Sequence, residues 1–198
     1  MRTRTLAFIA LLSVVPLSAC TTGAESGASI FKTSLATKPG TVDAGEAAVL
    51  ISQYRRSRGL PPVTIDATLT RIAAVHANRM AAADTMTHVL PGEGSFTQRL
   101  AAGGFVAAMA AENVAAGQKT LADALDAWRK SPGHNANLLL ANVSKIGIAL
   151  AIADDSKYKT YWSLVLGEWY VPRAGQSIGG PDAGPVLPAG GGVTVEIH

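Results

Sequence analysis

The 198-residue sequence contains a single cysteine, Cys20. No internal disulfide can form, and paired-cysteine zinc sites are excluded. Charged residues make up 16 % and aromatics 6 % of the chain, and no Lys/Arg cluster is interleaved with aromatics. The formal net charge is +3. Setting aside Arg2 and Arg4, in a segment expected to be removed, leaves 15 basic residues against 14 acidic ones. Nothing here points to nucleic acid as a partner. The longest apolar run, "LAFIALLSVVPL", is too short to span a membrane as a helix. There is no H-E-x-x-H metalloprotease motif, no G-x-S-x-G nucleophile elbow and no internal repeat.

What is present begins at the N-terminus. "MRTR" followed by the apolar run and "LSAC" (residues 17–20) reads as a signal sequence ending at Cys20. It resembles the bacterial lipobox, in which this cysteine is lipidated and becomes the first residue of the mature chain. The membrane would then be a partner through this lipid anchor, the acyl chains holding the protein to its face without spanning it. Thr21 and Thr22 follow, with no aspartate to signal inner-membrane retention. The expected location is the cell envelope, on the outer membrane if the cell has one. Residues 20–41 read as a tether, with Ile30 and Phe31 positioned to touch the domain. Residues 173–198, dominated by Gly, Pro and Ala, read as a flexible tail. A single domain over residues 42–172 remains.

Its first half has helical periodicity. Asp43 and Glu46 form a start signal, after which Ala47, Leu50, Ile51 and Tyr54 recur on one stripe. Gly59 and Pro61-Pro62 end that helix. Asp66 or Thr68 opens a second one carrying Leu69, Ile72, Ala73, His76 and Met80. Shorter helices are expected over residues 95–102 and 120–130. The second half changes period. "KIGIALAIA" alternates large and small residues, "TYWSLVLGEW" is apolar on both faces, and "DDSKYK" suits the hairpin loop between them. The small face of the first strand invites a closely packed helix, and "AENVAAG" can add a further strand. The fold class expected is α+β, a small antiparallel sheet between helical layers in an α-β-α sandwich.

The four histidines and one isolated carboxylate are the candidate functional groups. His76 lies on an apolar helix stripe and reads as a core residue bonded to a backbone carbonyl. His198 ends the tail. His88 lies in a loop leaving a helix C-terminus. Glu112 stands alone among small apolar residues, where an unpaired carboxylate is costly, and Asn113 follows it. Pro132 ends a helix and Gly133 allows a tight turn from which His134 projects.

The ordered set "THVLPGEGSFTQRL", "AENVAAG", "AWRKSPGHNANLL" and "YWSLVLGEW" resembles the CAP superfamily of cysteine-rich secretory, antigen 5 and pathogenesis-related proteins, in its bacterial secreted branch. The resemblance spans about residues 47–169 and implies an α-β-α sandwich with a cleft where His and Glu side chains meet. Carried over, it assigns His88, Glu112 and His134 to that cleft, with Asn113 and Tyr161 beside them. Ser131 stands where animal members have a second glutamate, Tyr161 where they have another histidine, and Ala111 where glycine is usual.

Two histidines and a carboxylate suit Zn2+ or another divalent metal. Three functions follow: an envelope module binding a lipid, glycan or peptide; a metal-dependent hydrolase using His88, Glu112 and His134 as catalytic candidates; or a structural interaction domain.

Overall fold

A computed structural model describes Phe31, residues 38–172 and the backbone of residues 194–197. The expected signal segment (residues 1–19), Cys20, and most of the expected tether and tail lie outside the described residues.

Five helices and five strands follow one another. They are α1 (Ala44–Arg56), β1 (Thr64–Ile65), α2 (Ala67–Ala82), α3 (Phe96–Ala102) and β2 (Ala107–Ala116), then α4 (Leu121–Lys130), α5 (Pro132–Leu138), β3 (Lys145–Ile152), β4 (Thr160–Trp169) and β5 (Thr194–Ile197). The helix starts follow side-chain chemistry. Asp43, Asp66, Ser95 and Thr120 each accept a backbone N–H three residues on, and Ser95 with Gln98 completes a capping box.

The sheet order is β1-β3-β4-β2-β5. The central β3, β4 and β2 are antiparallel, with Gly147 opposite Val165 and Glu112 opposite Val165 on β4's other edge. The two edge strands differ from the purely antiparallel expectation: β1 pairs with β3 and β5 with β2 in parallel. Both edges are fed from across the chain rather than by hairpins. Residues 194–197 thus form a strand within the stretch expected to be a tail; their "TVEI" alternation is what that reading passed over.

The two faces of the sheet carry two cores, as an α-β-α sandwich requires. On one face Leu50, Ile51 and Tyr54 of α1, Leu125 and Trp128 of α4 and Leu138 of α5 cover Ala111, Ile146, Ile148 and Trp162. Phe31 joins this core, its ring edge-on to Tyr54 at 5.8 Å. On the other face Leu69, Ala73 and Ala77 of α2 and Phe96 and Leu100 of α3 cover Ala110, Val114, Ala149 and Val165. The small face of β3 sets how close α2 lies. A Cβ on Gly147 would stand 2.1 Å from the backbone of Leu69 and Thr70.

Pro132 does not simply end α4. Ser131 turns out of the helix at φ −85° and ψ 121°, and Pro132 then opens α5 as its first residue. His134 therefore sits in the first turn of a short helix, not on the tight turn expected from Gly133. Buried Arg55 fixes this segment. Its guanidinium donates to the carbonyls of Pro61, Leu138, Leu140 and Val143 at 2.8–3.2 Å.

Candidate functional site

Glu112 lies near the middle of β2, facing α2 and α3. Its side chain is fully buried. Arg99 supplies the cation such a group requires. Nη1 and Nη2 donate to Oε1 and Oε2, both at 2.8 Å, a bidentate pair. Arg99 is there because α3 places it three residues after Phe96 and one before Leu100, on the helix's apolar stripe. Nη2 also donates to the His88 carbonyl at 3.0 Å, which fixes the loop carrying that histidine.

His88 then places its ring on the same carboxylate, with Nδ1 2.9 Å from Oε2. Behind it His76 stands with Nδ1 2.9 Å from both oxygens of Glu93 and Nε2 2.9 Å from the Thr87 carbonyl. The Thr87 carbonyl can only accept, so Nε2 bears a hydrogen. His76 Nε2 also lies 3.8 Å from Glu112 Oε2. Arg99 is the fixed cation of this cluster, paired bidentately with Glu112. Nδ1 of His88 donates to the Glu112 carboxylate.

Burial alone would push the Glu112 carboxyl up. The hydrogen bonds from His88 and Arg99, and the charges of Arg99 and His76, outweigh that and hold it below the usual carboxylate range.

Asn113 points to the opposite face. Its Nδ2 donates to the His134 carbonyl at 3.0 Å, and its Oδ1 accepts from Asn137 Nδ2 at 2.9 Å. Asn137 also donates to the Glu112 carbonyl, and Tyr54 Oη donates to Asn135. Two adjacent residues of one strand thus fix the two histidine-bearing segments, Glu112 the His88 side chain and Asn113 the His134 backbone.

The structure brings His88, Glu112, Asn113 and the His134 segment to the same stretch of β2. It does not bring Tyr161 there. That residue pairs with Ala116, at the far end of β2, and its hydroxyl bonds Asp84 and Ser156. Tyr161 shares the α2-side face with Glu112 but lies four residues along β4 from Val165, the residue opposite Glu112. Reading His76 as a core residue captures its bond to a carbonyl but misses its carboxylate partner. Glu93 and Arg99 were also missed, although an arginine on an apolar stripe near a lone carboxylate is a legible signal of a buried ion pair.

The three-residue metal set does not fit this arrangement. Both Glu112 oxygens already accept from Arg99, and a cation there would adjoin the guanidinium. Among the described residues no group of three His, Cys, Asp or Glu side chains is placed to hold a metal ion. Of the nearby serines, Ser131 is the N-cap residue of α5 and Ser163 is fully buried. The chemistry the site does carry is an imidazole of fixed tautomer, oriented by a buried carboxylate. His88 reaches the surface, its side chain 17 % exposed, and Met86 and Val89 beside it are exposed apolar groups.

Among known proteins, residues 50–166 match the model of the "Cysteine-rich secretory protein family", CAP. The "Uncharacterized protein YkwD" of Bacillus subtilis (strain 168) is 34 % identical over 130 residues, 64 % of this chain. That match covers 51 % of the relative, so the chain spans about half of its length. An outer surface protein of Borrelia burgdorferi superposes with a TM-score of 0.56 at 25 % identity, over 67 % of this chain and 99 % of the other. An extracellular SCP-domain protein of Bacillus anthracis gives a TM-score of 0.56 at 24 % identity, over 63 % and 39 % of the two chains, a likeness of fold. With its two-faced sheet, its Glu112–His88 pair and a family match over most of the domain, the chain belongs to the CAP family, as a member without the paired cysteines that the family's name suggests.

Proposed function

We propose that the protein is a lipid-anchored module of the cell envelope whose cleft at His88 binds a lipid, glycan or peptide by hydrogen bonding and apolar contact. The observation that carries this reading is the state of Glu112. Its oxygens are taken up by Arg99 and His88, so it positions an imidazole rather than holding a metal or attacking a substrate. The exposed flank of Met86 and Val89 adds an apolar wall beside a polar group. Export is supported by the Cys20 motif and by solved relatives described as an extracellular and an outer surface protein.

The test uses the mature domain from one preparation, in lipid extraction, glycan pull-down and peptide-array binding. His88→Ala should abolish retention of the ligand found, while His88→Gln, which keeps a donor and an acceptor, retains part of it. A ligand held equally by wild type and His88→Ala would refute the site. Zinc binding that disappears in a His88→Ala/His134→Ala double variant would favour the hydrolase reading instead. For the anchor, Cys20→Ser should move the protein from the membrane to the soluble fraction and remove the lipid mass from its N-terminal peptide.

A further inference from the structure

A cavity of about 210 Å³ opens between α2 and α3, on the far side of the buried charge cluster. Its inner wall is polar. Arg99 Nε is buried and has no hydrogen-bond partner among the described residues, and the nearest carboxylate oxygen, Glu93 Oε1, is 3.9 Å away. Both residues line the cavity. Its sides are apolar, from Ile72 and the half-exposed Val75. Its mouth is basic, with the exposed Arg71 and Arg79 one turn to either side of Val75.

The polar wall selects for chemistry. It offers one donor beside one acceptor, too far apart to bond each other. A carboxylate or phosphate placed there would face Glu93 and be repelled. A trans amide points its donor and acceptor in opposite directions and meets only one of the pair. A hydroxyl does both, accepting from Nε–H and donating to Glu93. At bond lengths of about 2.7–2.9 Å it bridges the gap with an angle at oxygen of roughly 90°. An anionic group is favoured instead at the mouth, between two arginines that solvent reaches.

We propose that this cavity binds a hydroxylated, monosaccharide-sized ligand bearing one acidic group, an acidic sugar, with a ring hydroxyl on Arg99 and Glu93 and its carboxylate at Arg71 and Arg79. The site shares Arg99 with the His88 region, whose loop that side chain also holds, but uses a different atom of it and does not involve Cys20. A water bridging Nε and Glu93 is the competing occupant.

Titration of the mature domain with glucuronate, followed by NMR, should shift the Arg99 Nε–H resonance and the Val75 methyls together and saturably. Glucose should bind about tenfold more weakly, and inorganic phosphate should shift the Arg79 resonances without moving Arg99 Nε–H. Arg79→Gln should bring glucuronate affinity down to that of glucose. Val75→Trp, at an exposed position, should block the mouth while leaving the thermal midpoint and His88 shifts unchanged. Failure of glucuronate to move Arg99 Nε–H would overturn the proposal and leave the cavity to water. Equal binding of phosphate and glucuronate would reduce it to a surface anion contact, and equal binding of glucose would remove the acidic group from it.

Discussion

Replacing Glu112 by glutamine isolates the electrostatic part of the site, because the side chain keeps its shape. In the wild type the buried carboxylate accepts two bonds from Arg99 at 2.8 Å and one from His88 at 2.9 Å. Glu112→Gln leaves the buried guanidinium of Arg99 without the carboxylate that pairs with it. Breaking one partner of a buried pair costs about 3–5 kcal/mol. At about 4 °C per kcal/mol for a domain of this size, the thermal midpoint should fall by roughly 12–20 °C. The pH dependence supplies a second readout. The folded-state pKa of Glu112 lies below its ordinary value of 4.5, so its contribution is fully present above that pH. As pH falls toward the folded-state value, the unfolded chain takes up a proton that the folded one does not. Wild-type stability then drops by up to about 1.4 kcal/mol per pH unit, and the glutamine variant is spared this loss. The gap between the two proteins, from urea unfolding followed by circular dichroism, should be constant near neutrality and close in acid. A gap under about 1 kcal/mol at neutral pH, the average for any substitution, would refute the reading of Glu112 as the charge partner of Arg99. So would a gap that stays level through the acid range.

Arg55→Met should lower stability by about 2–4 kcal/mol in urea titration, because four carbonyls lose a buried charged donor. Gly147→Ala should lose about 3 kcal/mol or more and yield little soluble protein, since the new methyl meets helix backbone rather than a side chain that can turn away. Tyr161→Phe should lower the thermal midpoint modestly by releasing Asp84 and Ser156, yet leave ligand retention at His88 unchanged; lost retention would return Tyr161 to the cleft.

The layered fold was legible because its signals are local. Caps at Asp43, Asp66, Ser95 and Thr120, and the large/small alternation of residues 145–152, each constrain a few neighbouring residues. The edges of the sheet were not legible, since two-residue β1 and the distant β5 pair across long separations with no turn motif to announce them. The same distinction holds at the site. His88, Glu112 and His134 stand out by chemical type and by resemblance. Their partners Glu93 and Arg99 belong to an ordinary-looking loop and helix, and only the packing of α3 on β2 turns them into a charge network. α5 escaped for a different reason: Pro132 both stops one helix and starts another, and sequence reading credited it with the first role alone.

Phe31 has a consequence for distance. Its ring is buried against Tyr54, eleven residues after Cys20. At full extension such a segment reaches about 40 Å, roughly one bilayer thickness. With Cys20 in the membrane, the domain would be confined to a shell no deeper than that above the lipid surface. Under that proposed anchoring, whatever it meets would have to come to the membrane, or be part of it.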